Sequence, residues 1–144
     1  MSYHQTTLTL PAYARGIHII TPKVEEAISQ LLPHSAKVGL VHLFLLHTSA
    51  SLAINENADP DVRLDTEDWL NKIAPEDQPE YRHTLEGSDD LPAHLKSMMF
   101  GVSLTIPLVD GELGLGMWQG IYLCEHRNLQ EYGGQRKLVI TVNT

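Results

Sequence analysis

The segment at 37–46, KVGLVHLFLL, is apolar at nearly every position and is bounded by Ser35 on one side and His47-Thr48 on the other. Ten residues fall well short of the roughly 20 a membrane span needs. A short run this uniform predicts a strand covered on both faces and central to a sheet. Pleat alternation places His42 with Leu40 and Phe44, whereas His47 would lie with Val41, Leu43 and Leu45, so the two histidines face opposite ways.

The other elements follow from local signals. Residues 5–10 and 16–21 are rich in β-branched and apolar types around a break at Pro11 and Gly16, which predicts an opening pair of strands. Thr21-Pro22 supplies a hydroxyl N-cap and a first-turn proline for a helix with Val24, Ala27, Ile28 and Leu31 at helical spacing, ended by Pro33. A strand is predicted at 50–55, and Asp59-Pro60 starts a helix over about 60–73. Its buried side would carry Val62, Trp69 and Ile73, opposite an acidic stripe of Asp61, Asp65 and Asp68. Residues 74–92 read as a long loop, of the kind that more often carries function than slack. A short helix at 92–99 and strands at 101–108, 116–124 and 136–143 complete the chain, with a hairpin turn at Asp110-Gly111. About seven strands and three helices, with the helices grouped in the middle, make an α+β pattern in one domain over 1–144. There are more doubly apolar strands than the helices can cover, which points to sheet surface buried between subunits.

Ten Lys and Arg against 18 Asp and Glu give a net charge of −8, which repels a phosphate backbone, so nucleic acid is not an expected partner. The lone Cys124 cannot form an internal disulfide, and the first residues lack the blocks of a signal peptide. A cytoplasmic location without membrane attachment is expected. Eight histidines are many for this length, and histidine is the commonest metal ligand.

Four constellations could carry chemistry. His47-Thr48-Ser49-Ala50-Ser51 follows the most apolar strand, where a fixed strand end admits a ligand; the hydroxyls equally suit a capped turn. Asn55-Glu56-Asn57 with Asp59, Asp61 and Asp65 could hold a hard cation, or simply stabilise a helix N-terminus. In the long loop, His83 and His94 flank Glu86, Asp89 and Asp90, a nitrogen and oxygen set that zinc or a similar ion accepts; solvated histidines are the other reading. In 116–127, Gln119, Glu125, His126 and Arg127 crowd a strand that otherwise reads as core, so they should meet a ligand or each other. There Glu125 is a candidate proton acceptor or ligand, and Arg127, Arg136 and Lys137 are candidates for a phosphate, although basic residues also mark solvated strand ends.

Arg15-Gly16-Ile17-His18, HTSASLAINENADPDVR (47–63), YRHTLEGSDDLPAHLKS (81–97) and GMWQGIYLCEHR (116–127) together resemble the YjbQ family, also called secondary thiamine-phosphate synthase enzymes. The resemblance covers nearly the whole chain. It implies an α+β subunit with a β-sandwich-like mixed sheet, assembled as a homotrimer. It also implies a weak, secondary transferase activity in thiamine biosynthesis: an aminopyrimidine methyl pyrophosphate and a thiazole phosphate give thiamine phosphate and pyrophosphate. On the matching positions, His47, His83 and His94 are expected as ligands of a divalent metal, zinc or magnesium, or as proton donors. Asp65, Glu56 and Glu125 are expected as carboxylate partners, with Glu125, His94 and Lys96 as the catalytic set. Lys96, Arg127 and Arg136 remain for phosphates, Gln119 for substrate, and Trp118 or Tyr122 for stacking on a flat heterocycle. Cys124 is expected to carry no mechanism. The other expectation is a trimeric protein that binds a metal or small anion without turnover of its own.

Overall fold

The computed structural model describes residues 1–128 and 134–144. In chain order the elements are β1 (Tyr3–Thr9), β2 (Gly16–Ile19), α1 (Thr21–Leu31), β3 (Val38–Leu45), β4 (Ala50–Glu56), α2 (Pro60–Ile73), α3 (Asp90–Phe100), β5 (Ser103–Val109), β6 (Glu112–Leu113), β7 (Gln119–Glu125) and β8 (Lys137–Asn143). They form two sheets, a larger one ordered β1-β8-β3-β5-β6 and a smaller one ordered β2-β7-β4. The α+β expectation and the central position of β3 hold. Every strand pairing among the described residues is antiparallel, which corrects the mixed sheet.

Alternation decides how the apolar run is used. Val41, Leu43 and Leu45 point inward and meet Leu138, Ile140 and Val142 of β8 across the register, with Ile106 and Leu108 of β5 beside them. Leu52, Ile121 and Leu123 of the smaller sheet close the core from the other side, and Ile20, Val24 and Ile28 from α1 and its N-cap seal its end. The opposite parity of β3 is a different matter. Val38 (77% exposed), Leu40 (52%) and Phe44 (42%) stand on the outer face, so among the described residues this strand is covered on one side only.

Two helix readings change in detail. The N-cap of α1 is Ile20, and the Thr21 hydroxyl instead accepts the Ile121 N–H at 2.8 Å, tying α1 to β7. Helix α2 has the predicted bounds, and Asp59 caps it by accepting the Asp61 N–H at 2.9 Å. Yet Trp69 and Ile73 are exposed and Leu70 is the helix's buried residue, because the inner face of α2 is polar. The β5–β6 turn at Asp110-Gly111 is as read, with both residues at positive φ (52° and 82°), the conformation a two-residue hairpin of this type demands.

The core position Leu123 and the fully exposed Leu85 separate packing from surface chemistry. Leu123→Ala should cost about 2–5 kcal/mol in urea unfolding, and Leu85→Ala should stay within about 0.5 kcal/mol.

Candidate metal centre

Helix α3 begins at Asp90, two residues earlier than read from the sequence, so Asp90 and His94 fall four residues apart on one helical face. The loop before α3 brings His83 to the same point. His83 Nε2 lies 2.6 Å and His94 Nε2 3.1 Å from one carboxylate oxygen, Asp90 Oδ2. The candidate ligand atoms of His83, Asp90 and His94 all lie within 4.8 Å of one another. Asp90 is 2% exposed whereas the His83 side chain is 44% exposed, so the cluster opens to solvent on the His83 side. A cleft of about 110 Å³, lined by Tyr81, His83, Thr84 and Ser88 among others, adjoins it there. A larger cleft of about 650 Å³ beside α1 and the β5–β6 turn shares no residue with the cluster.

Proton assignment sharpens the picture. His94 Nδ1 is 2.9 Å from the Thr48 carbonyl, which can only accept, so Nδ1 carries the hydrogen. A neutral His94 then presents the lone pair of Nε2 to the Asp90 carboxylate. Two acceptors facing each other at 3.1 Å require a proton or a cation between them. Two imidazole nitrogens and one carboxylate oxygen are a ligand set for zinc or a similar transition ion, and three protein ligands leave a position open, as in catalytic rather than closed structural sites. Magnesium, which favours oxygen ligands and octahedral geometry, fits this donor set less well.

Asp90 is itself held from behind. Arg127 donates from Nη1 to Asp90 Oδ1, from Nε to Asp89 at 3.0 Å and from Nη2 to the Glu86 carbonyl at 2.9 Å. The expected phosphate ligand is thus a buried clamp on the cluster. Arg136 is likewise engaged: its Nε and Nη2 reach the two Glu125 oxygens at 2.7 and 2.6 Å. Glu125, fully buried, also accepts the Arg127 backbone N–H, so both its oxygens are engaged by the chain's own donors.

Other expected residues lie apart from the cluster. His47 is not among its ligands; its Nε2 accepts the Lys137 N–H at 2.8 Å. Burial, and then the nearby Arg136 charge, push its pKa down, in keeping with a neutral ring that accepts. Lys96 is fully buried and donates to Asn71 Oδ1 at 2.7 Å. Two residues on from His94, it points about 200° round the helix, away from the cluster and from any substrate there. Gln119 starts β7 and Glu125 ends it, which puts Gln119 and its neighbour Trp118 about 20 Å from Glu125 at ~3.3 Å per residue. Gln119 Oε1 accepts the Gly116 N–H, and Trp118 is 62% exposed. Tyr122 is buried with its hydroxyl on the Glu56 carbonyl, so it offers no stacking face. Glu56 accepts the Ala58 and Asp59 N–H groups, and Asp65 is exposed on the outer side of α2, so neither joins the cluster. Sequence reading groups Asp90 with Glu86 and Asp89 as a possible oxygen ligand, and the structure singles it out through its i, i+4 spacing to His94; the Thr48 carbonyl as the anchor of His94 is a role that sequence reading misses.

An antiparallel two-sheet α+β protein with a solvent-facing His-Asp-His cluster is the class these features define. The chain belongs to the UPF0047 protein YjbQ-like family, whose pattern matches residues 6–144. It is 49% identical over 140 residues to the UPF0047 protein YjbQ of Salmonella typhimurium, covering 97% of each chain. It is also 46% identical over 142 residues to that of Escherichia coli O157:H7, again covering 97% of each. Among solved structures, a conserved hypothetical protein from Thermus thermophilus matches with a TM-score of 0.77 and 38% identity over 93% of this chain and 97% of that one. A protein of unknown function from Sulfolobus solfataricus shares the fold at a TM-score of 0.80 and 20% identity, covering 98% of this chain and 96% of that one. No helix among the described residues is long and apolar enough to cross a membrane.

Beside the cluster, on the other side of β7, His126 is buried with Nε2 2.8 Å from the Ser51 hydroxyl. Burial, with Lys96 and Arg136 nearby, pushes its pKa down from 6.5 to about 3. Between these values the unfolded chain takes up a proton on this ring and the folded chain does not. Its share of stability is therefore full above about pH 6.5 and falls by roughly 1 kcal/mol per pH unit below it. Urea unfolding at pH 7 and pH 5 should show this slope, and His126→Gln should flatten it.

Proposed function

We propose that this chain binds a divalent metal ion, zinc before magnesium, on His83, Asp90 and His94, and works on a phosphorylated substrate beside it. The observation that carries this reading is the His94 Nε2 lone pair facing the Asp90 carboxylate while Nδ1 is committed to Thr48. The reaction implied by the family resemblance is the joining of an aminopyrimidine methyl pyrophosphate and a thiazole phosphate, with release of pyrophosphate. When bound, the metal would supply positive charge against the leaving pyrophosphate. The chain's own residues orient the ligands: Thr48 fixes the His94 tautomer, Arg127 holds Asp90, and the cleft beside His83 offers Thr84 and Ser88 to a substrate.

One observation favours the second reading, a metal- or small-anion-binding protein without turnover. Arg127 and Arg136 are already matched to carboxylates, which leaves few cations in one chain for two phosphorylated substrates. A homotrimer formed through the apolar outer face of β3 could add groups from a neighbour, and it would cover Val38, Leu40 and Phe44. The threefold count comes from the resemblance.

Metal analysis of purified wild-type protein should find zinc near one equivalent. His83→Ala, Asp90→Asn and His94→Ala should each weaken zinc binding at least tenfold in a competition titration. Thiamine phosphate formation from the two precursors should fall with them. Zinc affinity equal in wild type and variants would end the reading; bound zinc without product would select the second one. Sedimentation should give three times the 16.1 kDa subunit, and the double substitution Leu40→Glu, Phe44→Glu should shift it to the monomer; a wild-type monomer would exclude the trimer.

A further inference from the structure

Asn57 follows β4 and fastens the turn that leads into β7. Its backbone N–H donates to the Trp118 carbonyl at 3.0 Å, and its Nδ2 donates to the carbonyls of Met117 and Gln119 at 3.1 and 3.0 Å. Gln119 closes the same turn: its backbone N–H donates to the Gly116 carbonyl, and its Oε1 accepts the Gly116 N–H at 2.8 Å. Both side-chain amides are therefore oriented by the backbone. Asn57 has committed its Nδ2 hydrogens, which leaves Oδ1, an acceptor; Gln119 has committed Oε1, which leaves Nε2, a donor.

Both residues line one cleft of about 480 Å³. Gly120 is what lets them approach α1: a Cβ there would stand 2.9 Å from Asn57 Cβ and 3.4 Å from the Thr21 hydroxyl oxygen. Thr21 lines the same cleft, and since its oxygen accepts the Ile121 N–H, its O–H is left to donate. Ile19, Pro22, Leu113 and Leu115 supply apolar walls. Glu25 and Glu112 stand where this cleft runs into the larger one of about 650 Å³, which shares both residues. Neither carboxylate has an ion pair or a side-chain hydrogen bond among the described residues, and no Lys, Arg or His among them lines the smaller cleft.

We propose that this cleft is a second binding site, for a nucleoside whose base carries an exocyclic amine next to a ring nitrogen, as adenosine does. An acceptor and a donor, each held in one orientation, complement such an edge: the amine donates to Asn57 Oδ1 and the ring nitrogen accepts from Gln119 Nε2. The apolar walls cover the faces of a flat ring, and the volume falls within the roughly 300–1,000 Å³ of small-molecule sites. Ribose adds hydroxyls that donate to Glu25 or Glu112, the role an acidic residue takes in dinucleotide sites, and accept from Thr21. Two carboxylates without a cation beside them repel a phosphate, so the ligand class is the nucleoside and not the nucleotide. An alkylammonium would answer the carboxylates but leave Gln119 Nε2 and the Thr21 O–H without an acceptor. Gln119 and Glu125 stand at opposite ends of β7, about 20 Å apart at ~3.3 Å per residue, so the site rests on no part of the metal reading.

Adenosine titrated into the wild-type protein should give saturable shifts of the Asn57 and Gln119 side-chain amide signals in ¹H–¹⁵N spectra, with a Kd in the millimolar range or tighter. Purine riboside, which lacks the amine, and adenosine monophosphate should each bind at least tenfold more weakly. Gln119→Glu keeps an acceptor for the Gly116 N–H but removes the donor, so it should weaken adenosine at least tenfold while leaving thermal unfolding and zinc content unchanged. His94→Ala, which disables the proposed metal centre, should leave adenosine affinity as in the wild type, so that either reading can fail without the other. No saturable shift, equal binding of purine riboside or of the monophosphate, wild-type affinity in Gln119→Glu, or adenosine binding lost with His94→Ala would each overturn the proposal.

Discussion

Arg127 is the residue on which the cluster's geometry depends. Its guanidinium reaches Asp89, Asp90 and the Glu86 carbonyl, so one buried cation fixes both the end of the long loop and the first turn of α3. Asp89 completes the join by accepting the Asn128 N–H at 2.8 Å, which fastens α3 to the chain leaving β7. Such a set is not a large source of stability, because taking the ions out of water offsets most of their attraction, but removing one partner strands the others at a cost of about 3–5 kcal/mol. Its value is geometric. With Oδ1 committed to Arg127, Oδ2 has one direction left, and that direction holds both imidazoles.

The end of β7 sorts neighbouring residues into different environments by parity alone. Glu125 and the Arg127 backbone N–H belong with Arg136, whereas His126 between them turns to Ser51. Helix α3 repeats the division with its own period, His94 on the cluster side and Lys96 facing Asn71. Residues adjacent in sequence therefore serve two unlike interiors. A motif such as His94-Leu95-Lys96 or Glu125-His126-Arg127 reads as one constellation on paper and is two in space.

That parity marks where sequence reading succeeds and where it stops. Helix α2 is legible to the residue because its signals are local: Asp59 caps, Pro60 enters, and the pattern ends at Ile73. The central place of β3 is legible from a run of apolar residues, and the joining of His83 to His94 from donor types in a long loop. The exposure of Trp69 is not, because the apolar stripe rule assumes a core-facing helix packs apolar atoms, and here the inner face carries Arg63, Glu67 and Asn71. Arg127, Arg136 and Lys96 read as phosphate ligands for a related reason. Composition reveals a cation, but whether it already has a carboxylate or amide partner is a tertiary fact, set by residues 11 to 38 positions away.

The tautomer of His94 links fold to chemistry most directly. Thr48 lies just past β3, and its carbonyl is available because the chain turns there toward β4 instead of continuing the ladder. By taking the Nδ1 hydrogen it fixes which nitrogen is left to act, and α3 then aims that nitrogen at Asp90. A proton in that position makes an imidazolium-carboxylate pair with the same ligand geometry. A metal ion makes the same three groups into ligands with an open face toward the His83 cleft. The strand end, the helix start and the Arg127 clamp are common to both states, so the scaffold is set before either cation arrives, and only the occupant decides whether the cluster is a salt bridge or a reaction centre.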